Sequence, residues 1–229
     1  MWLVPSGAAA VALVFAAALL QRYTQRRRPA HLLWALALLM YAGASLALAL
    51  GVRDGWSGSE YRWYWALGAV LNVPYLAAGE ILLLSQDRRV RLGTLVLLLF
   101  GTAFALARVR TGTLDLAALG RDLPLGKEAW AGDPFVLDLA RYYAFPAYFL
   151  LVGGTLWSAW RMRGRPELRD RFSGTLGIAV GATIVAAGSA FALTGQVVGF
   201  SATLAVGIVV MFWGFIRASR PVAVARSAS

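Results

Sequence analysis

The sequence predicts an all-α fold, an integral membrane seven-helix bundle with its N-terminus outside and its C-terminus in the cytoplasm. Three observations carry that expectation. The chain is 59% hydrophobic and only 14% charged, more apolar than one core of a 229-residue water-soluble domain can hide. Apolar runs of membrane-spanning length recur along it. Its basic residues gather between alternate runs rather than along one face.

A helix needs about 20 largely apolar residues to cross roughly 30 Å of hydrocarbon. Runs of this kind cover about 2–20, 31–51, 62–84, 92–108, 134–160, 173–193 and 198–217. They define a single domain over 1–217, followed by a short cytoplasmic tail, 218–229, expected to be disordered. The opening run "MWLVPSGAAAVALVFAAALL" lacks a basic leader and meets "QRYTQRRRP" at once, so it is expected to be a retained first span rather than a cleaved signal. Before the fifth run, Asp133 and Pro134 have the order of an N-cap followed by proline at the first helical position. The sixth run carries a face of small residues, Ser173, Gly177, Gly181, Gly188 and Ala192, which allows close helix approach within the monomer or between copies. Only "TGQVVG" separates the sixth run from the seventh, and the odd count of spans rests on that break.

Orientation follows from the arginines, which supply all the basic residues except Lys127. With an outer N-terminus, the inner segments hold Arg22, Arg26, Arg27 and Arg28, then Arg88, Arg89 and Arg91, then the group from Arg161 to Arg171, then Arg217, Arg220 and Arg226. The outer segments hold fewer cations, interspersed with Asp54, Glu60, Asp115, Asp122, Glu128 and Asp133. This is the positive-inside pattern of a multi-pass cell-membrane protein. Tryptophans mark both interfaces, Trp2, Trp56, Trp63, Trp65 and Trp130 on the outer side and Trp34, Trp157, Trp160 and Trp213 on the inner. The expected partners are the lipid bilayer, anionic lipid at the arginine-rich inner loops and a small-molecule ligand; nucleic acid is not expected, although the net charge is +11. The loop 109–133 contains the amphipathic run "LDLAAL", which suits either an interfacial helix over the outer mouth or an ordinary loop.

The third run holds the candidate site. At 100° per residue, Tyr61, Tyr64, Trp65, Gly68, Asn72, Tyr75 and Gly79 share one stripe, with Glu80 at its edge and a kink expected at Pro74. A carboxylate within a span costs some kilocalories per mole and faces a cavity or a partner. Two roles are open to Glu80: pairing with Arg88 or another helix's arginine, or carrying a proton in a cavity lined by Asn72, Tyr75, Glu80 and Tyr142. Asp138 and Arg141, three apart on the fifth run, have the order of an intrahelical ion pair, the alternative being contact with a polar substrate beside Tyr142 and Asn72.

The inventory carries no Gly-Lys-Ser/Thr phosphate loop and no zinc-binding His/Glu spacing, and its one histidine, His31, opens the second run beside Arg28. No catalytic residue and no metal site is expected. The third run, "RWYWALGAVLNVPYLAAGEILLL", together with the topology, resembles the microbial rhodopsin scaffold, which implies a seven-helix bundle with an inner-half carboxylate on the third helix. That family's retinal-binding lysine has no counterpart in "SATLAVGIVVMFWGFIRASR", so no retinal Schiff base and no other cofactor is expected. "RRRPAHLLWALALLMYAGAS" and "LNVPYLAAGE" also resemble an uncharacterised bacterial seven-span membrane protein family. Two functions stand against each other: a small-ligand or proton-responsive sensor or carrier, and a structural or accessory membrane subunit. An intramembrane enzyme ranks behind both.

Overall fold

A computed structural model describes residues 2–120 and 123–220. The tail beyond Arg220, with Arg121 and Asp122, lies outside the described residues. Among the described residues seven helices are long and apolar enough to cross a membrane, as in a multi-pass integral membrane protein. They are α1 (Leu3–Arg26), α2 (Pro29–Asp54), α3 (Gly58–Leu84), α4 (Arg88–Thr111), α5 (Pro134–Met162), α6 (Arg169–Leu193) and α7 (Val197–Ala218). Most run several residues past the apolar stretches, because flanking arginines and other polar residues continue the helix. The break expected at "TGQVVG" is real: Gly195 takes φ 70°, a left-handed turn that glycine adopts without a Cβ clash.

Six helices close a ring in the order α1, α2, α3, α5, α6, α7, with α7 returning to α1, while α4 stands outside against α3 and α5. Apolar side chains from every ring helix meet at the centre, where Phe15, Leu19, Trp34, Leu38, Leu76, Leu151, Ile178 and Met211 surround a void of about 20 Å³. A space of that size with an apolar lining stays dry. The axis of the ring is therefore packed rather than open.

Close approach and hydrogen bonds hold the ring where lipid leaves little hydrophobic drive between helices. The alanines Ala8, Ala9, Ala12 and Ala16 form the buried face of α1. Tyr41 on α2 donates to the Leu204 carbonyl of α7 at 2.7 Å, and Trp34 Nε1 donates to Leu76 on α3 at 3.0 Å. The small face of α6 serves the monomer: Gly177 meets Gly214, Gly181 meets Gly207 and Met211, and Gly188 meets Thr203, all on α7. Gly174 belongs to the same seam, against Ala218 and Gly214.

Asp133 departs from its expected role. It occupies the N-cap position of α5 and Pro134 the first turn, but its side chain makes no capping bond. Its carboxylate accepts instead from Arg108 on α4, at 3.1 Å. A true capping box lies elsewhere, at the start of α3, where Ser57 and Glu60 each satisfy the other's backbone N–H. The spacing "SGSE" carries that signal.

Candidate functional site

The segment between α4 and α5 is neither an interfacial helix nor a loose loop. A turn at Ala117–Leu119 and a short helix at Gly126–Ala129 fold it onto the end of the ring where α3 begins, burying Leu119, Leu123, Leu125, Ala129 and Trp130. Trp130 is fully buried among Tyr61 and Trp65, with ring centroids 6.1–6.2 Å away. Arg62 lies over the Trp130 ring at 5.4 Å and donates to the carbonyls of Val109 and Gly112, closing the C-terminus of α4. An aromatic plug thus seals this end.

The stripe on α3 does not survive as one face. Trp65–Leu71 winds as a π-helix, in which the Asn72 N–H returns to the Leu67 carbonyl, five residues back. Pro74 just beyond lacks an N–H and crowds the carbonyl four residues earlier, which favours the wide turn before it. The extra residue rotates everything downstream away from the ideal 100° register. Asn72 consequently points at α2, its amide 3.4 Å from the Ala37 carbonyl. Tyr75 packs against α2 and α4 and accepts from Thr102 Oγ1 at 3.2 Å. Gly79 lies under the Trp34 indole.

Tyr142, on α5, is 70% exposed on the outside of the bundle. The shared cavity expected around Asn72, Tyr75, Glu80 and Tyr142 therefore does not form. Asn72 and Tyr75 act as latches between helices, and Tyr142 faces away. On the same exposed surface of α5, Arg141 donates to Asp138 at 3.0 Å. Both side chains are more than a third exposed, so the pair is worth well under about 1 kcal/mol.

Glu80 is different. It is 3% exposed and turned toward α5, where Gly154 makes room for it: a Cβ on Gly154 would lie 2.8 Å from Glu80 Cγ and 3.3 Å from Oε1. Among the described residues no hydrogen-bond donor and no cation reaches its carboxyl, so the pairing with Arg88 expected as one alternative is not made. Glu80 lines an open groove of about 520 Å³ together with Ile81, Leu84, Ser85, Phe149, Leu150, Gly153 and Gly154. The groove runs between α3 and α5 and opens sideways out of the ring. Ser85 stands at its end along α3, about 7 Å beyond Glu80 by helical rise. Among the described residues no cluster of three acidic or histidine side chains is placed to hold a metal ion.

Gly153, Gly154, Phe149 and Ser85 escaped sequence reasoning. The adjacent glycines in "LLVGGTLW" were the available signal, since two together in a span leave a gap in its side-chain surface. Comparison with protein-family models, with curated proteins and with solved structures returned no match.

Proposed function

We propose that this protein is a ligand-responsive membrane protein, a sensor or carrier, whose binding group is Glu80 in the lateral groove between α3 and α5. One observation carries the reading: Glu80, 3% exposed and with no donor or cation on its carboxyl among the described residues, lines an open groove of about 520 Å³, while Asn72 and Tyr75 are spent on helix contacts. Ligand pockets commonly span 300–1,000 Å³ with apolar walls and a few polar groups, roughly the character of this groove. Native mass spectrometry of the gently purified protein is expected to show a retained small molecule that Glu80→Gln loses while keeping its fold. Equal retention by both forms would remove Glu80 from the site.

The proposed orientation puts the N-terminus outside and the groove's Ser85 end on the cytoplasmic side, supported by the arginine clusters at that end. The chain has no cysteine, so single introduced thiols report topology cleanly. Ser57→Cys and Thr113→Cys are expected to react with an impermeant thiol reagent on intact cells, and Ser227→Cys is not. Labelling of Ser227→Cys would reverse or break the topology.

The accessory-subunit reading has its own support in α4. That helix buries only Leu98, Gly101, Ala105 and Val109 and leaves Val96, Leu97, Leu99 and Phe100 more than 60% exposed. Under this reading Glu80→Gln changes stability alone.

A further inference from the structure

We propose that the groove at Glu80 binds a compact hydrophobic amine, its ammonium group held by the Glu80 carboxylate and its apolar body lying between Phe149 and Leu84. This rests on the groove being the ligand site and adds the chemical class of the ligand. Glu80 is the charge-bearing group among the lining residues, and no protein cation or donor among the described residues satisfies it. A carboxyl removed from water either keeps its own proton or binds a cation, and an ammonium supplies charge and N–H donors together. The remaining walls are aliphatic or aromatic, apart from Ser85 at the end along α3, whose Oγ accepts from the Asp87 N–H at 3.3 Å.

Depth selects size. Glu80 lies about a turn and a half from Ser85 along α3, about 7 Å by helical rise, so on the proposed orientation a phospholipid amine held at the interface stops short of it. Gly153 and Gly154 widen the groove beside the carboxyl rather than at the Ser85 end, so the space for a ligand body is next to the charge. An acid would meet the Glu80 carboxyl without a counter-charge. A neutral alcohol would gain the walls but not the ion pair.

The test uses the full chain in lipid nanodiscs, with 4-phenylbutylamine as the probe and 4-phenylbutanol and 4-phenylbutyrate as controls. Calorimetric titration is expected to give affinity for the amine about tenfold or more above that for the alcohol, the scale of one charge-assisted bond. Glu80→Gln should erase that preference, and Gly154→Leu should abolish both amine and alcohol binding by filling the groove. Leu84→Trp serves as a second filler should Gly154→Leu melt early. Equal affinity for amine and alcohol, both blocked by the fillers, would overturn the amine assignment and leave the groove as the ligand site. No binding of any probe, or binding that both fillers leave intact, would overturn the groove as well.

Discussion

Gly181→Ala and Gly214→Ala are each expected to lower the stability of the protein by about 1–3 kcal/mol, an overpacking penalty felt at a backbone contact. A Cβ on Gly181 would sit 2.5 Å from Met211 Cγ and 2.6 Å from the Gly207 carbonyl oxygen. On Gly214 it would sit 2.6 Å from the Gly174 carbonyl oxygen and 2.8 Å from the Ile178 nitrogen. Atoms of two main chains cannot rotate aside as a side-chain tip can, so α6 and α7 must separate along their seam. Thermal unfolding in detergent is the measurement, with an expected fall of about 2–12 °C for a chain of this length. Gly93→Ala is the control: nothing lies within 4 Å of its would-be Cβ, and its helix should be unharmed or strengthened. Wild-type melting of Gly214→Ala would mean that the two helices do not touch at backbone distance.

The larger single loss is expected at Trp130, at the centre of the aromatic plug. Trp130→Ala removes a fully buried indole packed on Tyr61 and Trp65 and takes away the face over which Arg62 lies. Truncations of this kind cost about 3–5 kcal/mol. Trp130→Phe should retain most of that stability, because among the described residues the buried Trp130 Nε1 has no hydrogen-bond partner to lose. A plug held by ring packing predicts the order wild type, Phe, Ala in melting temperature. The same loss from both substitutions would instead point to a polar role for the indole nitrogen. Limited proteolysis within residues 112–133 should accelerate in Trp130→Ala, since the segment stays folded only while its apolar residues remain docked.

Glu80 shows where sequence reasoning stopped. An ideal helix put it at the edge of a stripe with Asn72 and Tyr75, so a common cavity followed naturally. The π turn at Trp65–Leu71 breaks that arithmetic, and Asn72, Tyr75 and Glu80 turn to α2, α4 and α5 respectively. Local propensity does not forecast such a turn, because its cost is repaid only by the neighbours that its rotated side chains meet. Tyr142 failed for a related reason. Aromatic residues in a span suit the lipid face as well as the interior, so identity alone could not orient it.

The sequence by itself determined the helices, their number and the existence of an intramembrane carboxylate. Span length and apolar content are set by the thickness of the bilayer and by the need to satisfy every backbone N–H within the segment, and both are written locally. It also carried the small-residue face of α6, since glycine and serine four apart lie on one side of any helix. Tertiary structure alone decided which helices are neighbours: that six close a ring around an apolar centre, that α4 stands outside it, and that the 109–133 segment is a plug. It also placed Glu80 beside the gap at Gly154, with no cation on its carboxyl among the described residues. Inside a bilayer an apolar side chain is equally at home against lipid or another helix, so hydropathy cannot tell the two apart. The choice falls to shape, to the few hydrogen bonds between helices, and to where two glycines leave room.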